Sequence, residues 1–339
     1  MNNKQLLQKY VDTGVLLPEY QVRSLPENLK NTYIRKRLIA IEQTGDYLED
    51  YEFELLTPEQ IRQYTIKKAE KGKHISDDHF KLLTPEQQIQ YVMKRAENGG
   101  FISYDQFEIL TQDQRFQCAM KVAENGGFIS YDQFKLLTQE QMGQYAMKMV
   151  EKGGSISNKQ FELLTQDQMG QYAMKRIVRV SNDQFKLLTP DQRFKYVMKL
   201  KERGLEITEY HFELLTPDQR FQYAMKRVEK VEGISDEQFN LLTPEQRFQY
   251  AMKMVEKDYE ITNEQFKLLT PEQRFQYAMK MVEKSYRISY DQFELLTPEQ
   301  RFQYAMKIVE NGWNILYDQF KLLTPEQQKI FIDNGGEVY

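Results

Sequence analysis

The seventeen residues "LLTPEQRFQYAMKMVEK" occupy positions 241–257 and return unchanged at 268–284. No other feature constrains the fold of this chain as strongly. Anchored on the threonine of the phrase, near-copies fall at Thr57, Thr84, Thr111, Thr138, Thr165, Thr189, Thr216, Thr243, Thr270, Thr297 and Thr324. The spacing is 27 residues throughout, save 24 between Thr165 and Thr189. A fixed period of this length marks stacked units, each too small to enclose a core alone.

Every repeat carries two helix starts. In "TPEQ" the threonine caps, proline suits the first turn, and glutamine three residues on completes a capping box. The acidic residue beside it faces the positive end of the helix dipole. Upstream, "ISYDQF" at 102–107 does the same with Ser103 and Gln106, while Ile102 staples onto Phe107. The residue before proline is biased away from helical geometry, which separates the two helices at the threonine. The pattern predicts a short helix of about two turns, then one of three to four, with about three-quarters of the chain helical.

Counting from the threonine, Phe248, Ala251, Met252 and Val255 fall at helical spacing and predict one apolar stripe. The fold expected is all-α: a right-handed α-solenoid of about a dozen two-helix layers, elongated or superhelical. Layers about 8–10 Å apart give a contour on the order of 100 Å. Residues 1–56 read as degenerate N-terminal capping repeats and 57–323 as the regular array. Residues 324–339 read as a C-terminal cap. The segment 138–189 is irregular, because Gly143 and Gly170 stand where phenylalanine is usual and "RIVRVSNDQ" lacks three loop residues. A local change of curvature is expected there. Lost phenyl rings generally cost about 3–5 kcal/mol unless refilled; Met142 and Met169 stand ready to fill the gap. The residue after the short helix's phenylalanine alternates in sign from Glu54 and Lys81 through Lys186 and Glu213. Such alternation suits equivalent positions lying side by side in adjacent layers.

Composition narrows the function classes. A formal charge of −4 disfavours a nucleic-acid partner and a membrane-binding basic patch. One cysteine permits no intrachain disulfide, and no stretch approaches membrane-spanning length, so a cytoplasmic protein is expected. The three histidines are scattered, with His79 and His211 replacing capping glutamines and His74 in a loop. Cys118 replaces one tyrosine, which reads as packing. No nucleophile set, phosphate loop or dinucleotide turn is present. Neither enzymatic activity nor a cofactor or metal is expected.

Two surface features repeat. Tyrosine at seven and lysine at ten form a ladder: Tyr223 with Lys226, Tyr250 with Lys253, Tyr277 with Lys280, Tyr304 with Lys307. It could grip an acidic or aromatic partner, nucleic acid included, or its tyrosines could pack between layers. The loops keep their length while their letters vary; Phe101 and Phe128 stand 27 apart, Tyr259, Tyr286 and Trp313 are likewise evenly spaced, and these rings are expected to line one edge. "LTPEQ" followed by "NGG" resembles the repeat of transcription activator-like effectors in a few letters per unit. The period and the order of short and long helices differ, so the likeness is one of capping chemistry. The favoured reading is a non-enzymatic repeat protein presenting an extended surface to a protein, as inhibitor, sequestering factor or scaffold. A nucleic-acid or nucleotide binder comes second, and a self-assembling structural element third.

Overall fold

A computed structural model describes residues 3–44 and 46–339. Among these residues 66% are helical, in 25 helices, and no strand forms. The architecture is an all-α helical-repeat solenoid. A lone parallel bridge joins Ile315 to Val338. The chain forms two compact units, Met1–Gln168 and Met169–Tyr339, both built from the same layers. Their boundary falls inside the irregular segment.

A typical layer pairs the short helix Asn263–Lys267 with the long helix Pro271–Glu283. The short helix has 5 residues, less than the two turns expected, and the long one 13. Eighteen helical residues in each 27 explain why helix content is two-thirds and not three-quarters. Between consecutive layers of each unit, long helix packs on long helix and short on short.

The capping boxes form as the sequence dictates, and many of their glutamines have a further use. Gln273 donates its backbone N–H to the Thr270 hydroxyl at 3.3 Å, and its Oε1 accepts the Thr270 N–H at 3.1 Å. Its Nε2 then donates to the Pro244 carbonyl of the preceding layer at 3.3 Å. On the short helix, Gln265 likewise reaches the Ile234 carbonyl at 3.1 Å. A glutamate would close the box equally well but has no proton for the neighbouring carbonyl. Glutamine at both box positions therefore caps a helix and fastens a layer at once.

The arginine of "QRF" serves the opposite end of the short helix. Arg274 donates to Phe266 O at 3.2 Å and to Leu295 O of the following layer at 3.4 Å. These are carbonyls that a helix C-terminus leaves without intrahelical partners. Where Met142 replaces the arginine, Gln139 donates to the corresponding carbonyl, Leu163 O, at 2.9 Å. Gln112 makes the same bond to Leu136 O at 3.0 Å in a layer that keeps its arginine, Arg115.

The long helix is rotated relative to the expected stripe. Tyr250, Ala251 and Val255 are fully buried and Met254 nearly so, whereas Phe248 and Met252 are only half-buried. Hydropathy alone ranks phenylalanine above tyrosine. The tyrosine sits deeper because its hydroxyl meets a backbone partner in the core. The short spacing is also resolved: the helix Gln166–Lys175 has 10 residues, and the loop after it keeps its usual length. The three missing residues come from the helix, not from the loop as the sequence suggested.

Candidate functional site

The tyrosines of the ladder are core residues. Tyr223, Tyr250 and Tyr277 are 0% exposed and Tyr304 is 1% exposed, each equivalent to the next by the repeat. The Tyr250, Tyr277 and Tyr304 hydroxyls accept the backbone N–H of Ile234, Ile261 and Ile288, each at 3.1 Å. These isoleucines stand just before the short-helix caps. The phenol therefore buckles the loop to the long helix of the same layer. Its ring meets the short helix's phenylalanine edge-on, as in Phe266–Tyr277 with centroids 5.7 Å apart at 67°. Burial pushes the Tyr277 and Tyr304 phenols up to about 12. The lysines of the ladder are also engaged: Lys226, Lys253, Lys280 and Lys307 pair with the glutamate three residues on, at 2.8–3.1 Å. A partner cannot reach the phenols, which corrects the reading of Tyr223, Tyr250, Tyr277 and Tyr304 as a gripping surface.

Two layers lack the tyrosine, and they differ instructively. At Phe331 no hydroxyl is available, and Ile315 N–H donates instead to the Glu337 carbonyl at 3.2 Å. The segment 337–339 supplies with its backbone what the phenol supplies elsewhere. Cys118 is 0% exposed, and burial pushes its thiol up to about 12, far from the reactive thiolate range. The alternating charges also find other partners than expected. Lys81, Lys135, Lys267 and Lys321 pair with the carboxylate three residues earlier in their own helices. Turn geometry brings that carboxylate closer than the neighbouring layer's.

The loop aromatics lie outside the core but are not equivalent. Phe101 and Phe128 are each 79% exposed, Tyr259 is 48% and Tyr286 37%. Trp313 is half-buried, with the Arg287 guanidinium 5.5 Å from its ring centroid. Phe101 and Phe128 border a cleft of about 190 Å³. Its floor is the buried pair Ile102 and Ile129 with Gln133, whose amide ties the two loops together through Ile102 O at 2.9 Å.

Gly143 and Gly170 make room for a neighbouring layer. A Cβ on Gly143 would stand 2.3 Å from Gln168 Nε2, and one on Gly170 would stand 2.6 Å from Gln192 Nε2. The capping glutamine of the next layer fills the place of the missing ring. Met142 and Met169 are buried beside it, as the sequence suggested. His211 packs on Phe185 with centroids 4.5 Å apart, and His79 on Phe53 at 5.0 Å. Burial lowers both imidazoles, with the Lys68 charge adding to the effect at His79. Among the described residues no cluster of potential metal ligands forms, and no helix is long and apolar enough to cross a membrane.

Sequence reasoning missed one repeating surface. Phe275 and Met279, with Phe302 and Met306, are half-buried like Phe248 and Met252, so a partly exposed Phe–Met row lines the long helices of the second unit. The burial of tyrosine, invisible to hydropathy, is what turns this row outward. No protein-family model matches the chain, and no curated protein matches its sequence.

Proposed function

We propose that this chain is a non-enzymatic binding protein that offers the loop edge of its layers to a protein partner, as an inhibitor, sequestering factor or scaffold. The exposed pair Phe101 and Phe128 carries the reading. Phenyl rings left in water forgo roughly 1.5–3 kcal/mol each relative to burial. Two of them at one register, on either side of a formed cleft, suit a two-pronged aromatic anchor. Tyr259, Tyr286 and Trp313 repeat in the loops of the second unit, one position earlier in the repeat and with less exposure. Nucleic acid is disfavoured by the net charge of −4 and by lysines already paired within their helices.

The test is capture of partners from extracts of the source cell, at low and high salt, by three forms of the chain. These are the wild type, Phe101→Ser with Phe128→Ser, and Tyr259→Ser with Tyr286→Ser. The reading expects a protein that the wild type retains at high salt and the phenylalanine variant loses. Equal capture by the wild type and the phenylalanine variant overturns it. So does binding that vanishes with salt as phosphate contacts do.

A further inference from the structure

The repeat is broken most at its first long helix. Glu27–Thr44 has 18 residues where regular layers have 13, so it overruns its neighbour Pro58–Glu70 by more than a turn. The overhang roofs a cavity of about 360 Å³ between the two helices. Leu38, Ile39 and Ile41 form its apolar wall, and Ile39 is 52% exposed. Lysines from the end of the second helix form the opposite side.

One of these lysines stands where a lysine does not belong. Eleven residues past the repeat threonine, other layers bury Val122, Met149, Leu200, Met254, Met281 or Ile308. In the layer of Thr57 that position is Lys68. Arginine occurs there too, and finds partners: Arg227 bonds Glu206 at 2.9 Å, and Arg95 reaches Gly72 O at 3.4 Å. Lys68 has no carboxylate partner among the described residues; its ammonium lies 5.3 Å from the Tyr64 ring centroid. The carboxylates of the cavity are committed elsewhere, Glu42 to Lys67 and Asp46 to Arg37. Half-buried cations without a counter-charge are costly unless a ligand supplies one. Burial lowers Lys68, and Lys68 in turn helps lower His79, as an uncompensated charge must.

We infer that this cavity binds a small organic anion, its apolar body against Ile39 and Ile41 and its anionic head on Lys68. The volume suits a small amphiphile. Arg35 and Lys71 line the same cavity and add to its positive field.

The probe is 1-anilinonaphthalene-8-sulfonate, an aromatic sulfonate, titrated into the full chain by fluorescence, with decanoate and decanol as competitors. A single saturable site is expected, displaced by decanoate at least ten-fold better than by decanol, in line with a charge-assisted contact. Lys68→Met installs the residue that Met254 and Met281 place at this position. It weakens the probe about ten-fold or more, whereas Lys68→Arg and Lys280→Met leave it within about two-fold. Should Lys68→Met fail to fold, Ile39→Asp on the exposed wall must give the same loss. Unchanged affinity in the folded Lys68→Met or Ile39→Asp variant overturns the inference, as does equal displacement by decanol, or no saturable binding.

Discussion

Replacing Tyr277 by phenylalanine isolates the buckle that holds the loop before Thr262 to its long helix. The ring stays against Phe266 and only the acceptor for Ile261 N–H is lost. Ile261 is 4% exposed and Tyr277 0%, so water does not readily replace the hydroxyl. A buried donor left unpaired costs about 1–3 kcal/mol. At 1.4 kcal/mol per factor of ten, local opening should become roughly 5- to 140-fold more frequent. A stacked array does not unfold in one step, so a global midpoint would dilute the effect. Amide hydrogen exchange at Ile261 reads it directly. Faster exchange is expected at Ile261 and along 257–262, with little change two layers away. Tyr259→Phe, on an exposed ring, should change nothing. Unaltered protection at Ile261 in Tyr277→Phe would show that the hydroxyl merely sits near the amide, and the buckle would have to be abandoned.

Val231 occupies the left-handed position that Gly99, Gly126 and Gly312 hold in other layers, with φ of 62°. A left-handed conformation costs a residue with a side chain about 1–2 kcal/mol, so Val231→Gly should raise the urea midpoint; a lower midpoint refutes the strain. Gly143→Ala drives Gln168 off the Gln139 carbonyl, now 2.8 Å away, and should destabilise by about 1 kcal/mol; a neutral result would mean that the glutamine has another seat. His79 and His211 are held below 6.5 in the fold, so the unfolded chain binds more protons as pH falls through that value, and stability falls with it. Acidification from about pH 7.5 to 5.5 should lower Tm, and His79→Gln with His211→Gln should shrink the drop; an equal drop in both proteins refutes the assignment. Buried phenols act at the other end: Tyr145, Tyr277 and Tyr304 are pushed to about 12, so stability should fall between pH 10 and 12 as the unfolded chain loses protons first. An alkaline titration in which every tyrosine ionises near 10 would refute it.

The period, the two helices and their caps were legible because they rest on local chemistry. Thr270, Pro271 and Gln273 act within one turn, and no knowledge of neighbours is needed to interpret them. The rotation of the long helix was not legible. It depends on the Tyr277 hydroxyl meeting an amide sixteen residues away, and hydropathy treats that hydroxyl as a reason for exposure. The lateral use of Gln265 and Arg274 was hidden for the same reason, since their acceptors lie in other layers. At the candidate site, the exposed register of Phe101 and Phe128 could be read from loop spacing. The cavity beside Lys68 could not, because it arises from an overhang of Glu27–Thr44 that no repeat-based alignment anticipates. The lysine's misplacement was nevertheless written in the sequence, at a position where the layers from Thr84 to Thr297 carry Val, Met, Leu, Ile or Arg.

The glutamine bonds between layers bear on how such a chain can change length. Gln273 takes the carbonyl of Pro244, and Pro271 offers the same carbonyl to Gln300 at 3.2 Å. From Gln219 to Gln327, each layer therefore presents to its successor the same acceptor that it occupies on its predecessor. Copying or excising one 27-residue block rejoins a matching pair of faces and strands no buried polar group. Replication slippage across the identical stretches at 241–257 and 268–284 would yield a chain that still folds. Selection can then tune the number of layers in whole steps, while the loop letters diverge one residue at a time.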